Sequence, residues 1–258
     1  MRLTVCLLFS IAIPLAAEIR DVLKSSEIDA RFSGPQRDLT LHERPNFAIL
    51  LKVLDGKAGP VETRTDGDDI LHIRRGSAAI TLAGRKHLVA AGDLVHIPRN
   101  TGRLIDPGNG RVEYVVVRIF PSGEGLPPRR GPRMPDVLKK SDIEATFAKF
   151  DSNQPIHASA NYTLNYVIYT GRSGPYEAHR GCVDIYFMQV GTGTAHLGGE
   201  IVNAKEETPG EISGDGVKGS RTYTIGSGDM VVIPRNGVHH MIPSTPKLGY
   251  VLLKVWAD

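Results

Sequence analysis

GPVETRTDGDDILHIRRGSAAITLAG at residues 59–84 returns as GPYEAHRGCVDIYFMQVGTGTAHLGG at residues 174–199, 115 positions later. The same spacing links DVLKSSEIDARF (21–32) with DVLKKSDIEATF (136–147), and LHERPNF (41–47) with IHASANY (156–162). Beyond these, AGDLVHIPRN (91–100) pairs with SGDMVVIPRN (227–236) and VEYVVVRIF (112–120) with LGYVLLKVW (248–256), now 136 positions apart. Self-similarity of this kind predicts two related units in one chain. The second carries 21 extra residues between Gly199 and Gly228.

Each unit opens on a short helical pattern, with Ser26 or Ser141 as the candidate N-cap before an Ile…Phe apolar spacing. Short β-rich runs follow, among them AILLKVL (48–54), AAITL (78–82) and YVVVRIF (114–120), punctuated by Gly and Pro. Many short strands with frequent turn residues predict an all-β barrel or sandwich rather than βαβ units.

Composition agrees and removes several function classes. The chain has 258 residues, 41% hydrophobic and 23% charged, with 28 Gly and 17 Pro. These are values of a folded, turn-rich protein, not of a disordered tail or a coiled coil. A formal charge of +3 gives no electrostatic case for nucleic acid or an anionic membrane.

Residues 1–17, MRLTVCLLFSIAIPLAA, show an early Arg2, an apolar run and then small residues, the order of an export signal cut after Ala17. The run is too short for stable membrane insertion, so a periplasmic or secreted protein is expected. Without the signal Cys182 is the single cysteine, and no internal disulfide is available. The remainder divides into a first barrel at 18–120, a Pro/Arg-rich linker at 121–135 that includes Arg129, Arg130 and Arg133, and a second barrel at 136–258. The insertion at 200–227 is polar and Gly-rich, and reads as an exposed loop or hairpin that could cover the second barrel's mouth.

In the second unit Glu177-x-His179 is followed by Asp184 and Gly191, and then by Gly228, Asp229, Pro234 and His239. These residues resemble the two signatures of the cupin superfamily, approximately G-x5-H-x-H-x(3,4)-E-x6-G and G-x5-P-x-G-x2-H. Glu177 stands for the first His, Asp184 for the Glu, and Gly237 comes one residue late. The resemblance covers both units and implies a bicupin: two tandem double-stranded β-helix, or jelly-roll, barrels, each preceded by a short helix.

On a strand, residues two apart share a face, so Glu177 and His179 would both enter the barrel. The resemblance implies that His179, His239 and Asp184 hold a divalent transition metal (Fe, Mn, Ni or Zn), with Glu177 a fourth ligand or a general base. Two imidazoles with carboxylates suit such an ion. The competing arrangement has both histidines protonated and bonded to Glu177 and Asp184. In the first unit the histidine places hold Arg64 and Arg103 beside Glu62 and Asp69. Guanidinium cannot ligate, so two arginines are expected to neutralise two carboxylates there. A metal-dependent enzyme (dioxygenase, isomerase or lyase) on a small polar organic substrate follows, with a metal-free small-ligand binder as the alternative. The resemblance also allows a homodimer.

Overall fold

The computed structural model describes residues 21–34, 37–121 and 131–256. The expected signal at 1–17, and Arg129 and Arg130 of the linker, lie outside the described residues. Strands dominate, with two helices, α1 (Ser25–Phe32) and α2 (Lys140–Lys149).

One antiparallel sheet runs, neighbour to neighbour, through Val22–Leu23, Met230–Ile233, Cys182–Val190, Lys247–Trp256, Tyr162–Thr170 and Gln154–Ala158. The main path of another runs through Val137–Leu138, Leu94–Ile97, Asp68–Leu82, Arg111–Ile119, Phe47–Asp55 and Asp38–Glu43. Each path therefore starts with a two-residue strand taken from the opposite half of the chain. Val22 pairs with Val231, and Val137 with Val95. The far end of Asp68–Leu82 curls away to pair with Arg85–Ala90 and Gly102–Asp106, closing the first barrel. In the second half, Tyr176–His179, His239–Pro243, Thr192–Leu197 and Arg221–Gly226 form the closing layer.

The long strands bend at bulges after Ile73 and after Met188. Gly76 and Gly191 sit at those bends with φ near +75°, the region that favours glycine. A Cβ there would strike the carbonyl oxygen of Arg111 or Lys247 on the neighbouring strand. The glycine that closes the cupin-like motif is thus required by backbone geometry.

The largest core lies between the halves. It gathers Phe32 and Phe47 with Phe147, Tyr162, Phe187 and Leu253, all almost fully buried. Both helices contribute their Ile and Phe to it, so burial of those faces stabilises the pair of barrels together.

The helix starts differ from the expectation. Neither Ser26 nor Ser141 is the cap; α1 begins after Lys24 and α2 after Lys139, and no side chain of these residues caps either helix. The caps come from the opposite half instead. Asp229 Oδ1 accepts the Ser25 N–H at 2.8 Å, and Asp93 Oδ1 accepts the Lys140 N–H at 2.9 Å. Each aspartate also pairs with the lysine before the helix, Asp229 with Lys24 and Asp93 with Lys139. A local serine is superfluous where a buried carboxylate already satisfies the first turn and complements the helix dipole.

His42 and His157 serve packing, the first tilted against Phe47 and the second stacked on Tyr162. His72 packs edge-on against Phe187 with Nδ1 unpartnered. Burial, helped by Arg74, pushes its pKa down from 6.5 to about 3. The unfolded chain takes up that proton near 6.5, so this group's stability is complete above that pH and is lost as pH falls towards 3. His72→Phe is predicted to flatten the fall in Tm between about pH 6.5 and 4, measured by thermal unfolding across pH. Asp93→Ala should lower stability by about 1–2 kcal/mol or more in denaturant unfolding, because it removes a cap and strands Lys139.

Candidate metal centre

Tyr176–His179 lies in the closing layer of the second barrel, paired on one side with His239–Pro243 and on the other with Glu211–Gly214. Glu177 is directly opposite His239, and His179 directly opposite Glu211. This register brings Glu177, His179 and His239 together, each offering a ligand atom within 4.8 Å of the others. The two histidines are buried, and Glu177 is partly so.

The hydrogen bonds of the imidazoles orient them. His239 Nδ1 lies 3.0 Å from the Gly237 carbonyl oxygen, which can only accept, so Nδ1 carries the proton. His179 Nδ1 lies 2.5 Å from Glu211 Oε2 and donates in the same way. Both Nε2 atoms therefore turn inward. His239 Nε2 is 3.2 Å and His179 Nε2 4.0 Å from Glu177 Oε1. With Nδ1 already donating, the contact between His239 Nε2 and Glu177 needs either a second proton or a cation between the two atoms. Burial opposes a charge on His239, but the hydrogen bond and charge of Glu177, with Asp184, prevail and raise its pKa. Burial likewise works to raise the pKa of Glu177, and His239, His179 and Lys254 outweigh it and lower it.

Asp184 faces both imidazoles as well. Its Oδ2 is 3.4 Å from His179 Nε2 and 3.9 Å from His239 Nε2, while Oδ1 faces Lys254 Nζ at 3.6 Å. Cys182 Sγ and the Tyr186 hydroxyl donate to it as well, each at 3.4 Å. The two carboxylates thus approach the imidazoles from different sides at similar distances, Glu177 nearer His239 and Asp184 nearer His179. With neutral imidazoles, the carboxylates of Glu177, Asp184 and Glu211 against Lys254 leave two negative charges. One divalent cation cancels them.

The donor set fits such an ion. Donors about 2.1 Å from one centre stand roughly 3 Å apart at right angles, comparable with the separations here. Tautomer-fixing acceptors behind both imidazoles are the usual support of metal-bound histidine.

The first barrel balances its charge internally. Arg103 binds Glu62 through Nη2 at 2.7 Å and also pairs with Asp69, which Arg118 holds from the other side at 2.9 Å. Two carboxylates meet two guanidinium groups, but the second is Arg118 and not the expected Arg64. Arg64 lies just past the strand Glu62–Thr63 and pairs with Asp66 near the surface.

Two site residues escaped the sequence reading. Lys254 occupies the position of Arg118, a correspondence visible in the 136-residue offset. Glu211 has no counterpart, because it belongs to the insertion. There Glu200–Val202 pairs with Gly216–Lys218 and Lys205–Thr208 with Glu211–Gly214, so the segment is built of strands. Arg221–Gly226 already pairs with Thr192–Leu197, as Arg85–Ala90 pairs with the end of Asp68–Leu82. His240 points away from the triad and stacks on Tyr176. Glu211→Ala is predicted to weaken metal affinity by roughly 10–100-fold in a chelator competition while the barrel stays folded.

No family model matches the sequence, and no curated protein matches it. Solved structures do resemble it. A Cupin 2 conserved barrel domain protein from Leptotrichia buccalis superposes with a TM-score of 0.64 at 13% identity, covering 92% of this chain and 97% of that one. A salicylate 1,2-dioxygenase from Pseudaminobacter salicylatoxidans gives 0.67 at 12% identity, covering 94% and 86%. Its adduct with gentisate gives 0.66 at 12% identity, covering 94% and 83%. At these identities the likeness concerns the backbone, and the fold of this chain is that of the cupin barrels.

Proposed function

We propose that this protein is an exported bicupin whose second barrel holds one divalent transition ion and acts as a metal-dependent oxygenase on a small polar organic molecule. The observation that carries the proposal is the pair of imidazoles whose Nδ1 protons are tied to Glu211 and Gly237, leaving both Nε2 atoms to meet Glu177. The excess of carboxylates over cations in this cluster adds to it, since a divalent ion offsets that excess. Similarity of fold to a dioxygenase supports oxygenase chemistry ahead of isomerase or lyase chemistry. The signal-like segment at 1–17 supports export.

When bound, such an ion supplies Lewis acidity and open positions for substrate and, if redox-active, for O2. His179 and His239 hold it with the carboxylates of Glu177 and Asp184. Asp184 faces Lys254 on one side and both imidazoles on the other. Tyr186 is fully buried, and burial with its neighbouring carboxylates holds its hydroxyl protonated as a donor to Asp184. Tyr186 and Tyr250 stack beneath the site and exclude water. Glu211 and Lys254 also border an open cavity of about 390 Å3 whose lining includes Thr163 and Asn165. Hydrogen-bonding groups on that wall suit a polar substrate.

Elemental analysis of the purified protein should find about one transition-metal ion per chain, absent from His179→Ala with His239→Ala. Full occupancy in that double variant would refute the site. No metal even after reconstitution would assign the second proton to His239 and make the barrel a metal-free binder.

A further inference from the structure

The first barrel contains a cavity of about 160 Å3, and at the matching places the second barrel carries larger side chains. Leu71 faces Val116 across the sheet, and Leu54 faces Val112. At the matching register positions of the second barrel, Tyr186 faces Leu252 and Tyr169 faces Leu248. Tyr114, opposite Lys52, takes the place of Tyr250, opposite Val167. At these two matched places the second barrel carries a tyrosine ring and the first a leucine.

Those rings occupy defined places. Tyr186 stacks on Tyr250 with centroids 4.3 Å apart and planes 13° from parallel, and Tyr169 flanks Tyr250 at 6.3 Å. In the first barrel Leu54, Leu71 and Tyr114 instead line the void. Tyr114 is only 6% exposed, and its hydroxyl makes no hydrogen bond among the described residues. That hydroxyl is free to bond a group placed in the cavity. The volume accommodates one aromatic ring, a cavity of about 150 Å3 being enough for benzene.

Charge restricts the occupant further. Lys52 is paired with Asp38 at 2.9 Å and Arg103 with Glu62 at 2.7 Å, so each cation in the lining already has its carboxylate. An anionic ligand would enter with no free counter-charge.

We propose that the first barrel is a binding site for one neutral, hydroxyl-bearing aromatic ring, a simple phenol, which lies on Tyr114 as Tyr186 lies on Tyr250 and hydrogen-bonds the Tyr114 hydroxyl. This site is separate from the metal centre and does not depend on it.

Phenol and benzoate are the probes, titrated into the full chain by calorimetry with thermal shift in parallel. Phenol binds saturably and raises Tm, and benzoate binds at least about tenfold more weakly, because its charge finds no partner. Leu71→Tyr restores the missing ring and abolishes phenol binding. Tyr114→Phe, which leaves the packing intact, weakens it about fivefold, the loss of one hydrogen bond. Binding persists in His179→Ala with His239→Ala. The proposal is overturned by any one of three results: no saturable phenol binding, undiminished affinity in folded Leu71→Tyr, or loss of binding in the second-barrel variant.

Discussion

Two aspartates hold the architecture together. Asp93 and Asp229 each leave a tight turn in one barrel, bond the backbone of that turn, and cap the helix that leads into the other barrel. The cap and the two-residue strand beside it form one device. The strand covers a sheet edge that would otherwise present unpaired N–H and C=O groups, and the carboxylate fixes the helix above it. Because this exchange runs in both directions, the helices press Ile28, Phe32, Ile143 and Phe147 into a core shared by both halves. Losing one contact loosens both sheets, and the barrels stabilise each other cooperatively.

Inside each barrel the governing constraint is a buried aspartate that must be neutralised. Asp69 and Asp184 are each about 1% exposed and occupy the same register on equivalent strands. Two arginines surround Asp69 and complete the charge balance within the protein. A single lysine faces Asp184, and the guanidinium is replaced by an imidazole that brings no obligatory charge. The same backbone therefore closes electrostatically in one barrel and stays open to a cation in the other.

The all-β class and its short strands were legible, since glycine at the bends and alternating apolar residues are local requirements. Pairing of Val22 with Val231 was not legible, because two residues that bond across some two hundred others leave no periodic trace. For the same reason Ser26 and Ser141 attracted the capping role, although the carboxylates sat in the Gly-Asp turns of the opposite halves. Glu177, His179 and His239 were named through the resemblance to the cupin signatures, while alternation along the strand accounted for only the first two sharing a face. Lys254 needed the register of the Lys247–Trp256 strand, and Arg118 was overlooked in favour of Arg64 for lack of the equivalent register. Glu211 was beyond reach: its segment has no copy, and only its pairing with the His179 strand gives it a role.

Reciprocal exchange of leading segments is how two identical chains often lock into a swapped dimer. In such a dimer every substitution appears twice, so both barrels must share one chemistry. Joining the two in a single polypeptide removes that obligation while keeping the mutual support. Arg103 can then stand where its counterpart is His239, and Leu71 where its counterpart is Tyr186, without either change being imposed on the other barrel. Linkage of this kind lets the two interiors diverge, so that the charges and rings buried in one barrel need not be repeated in its twin.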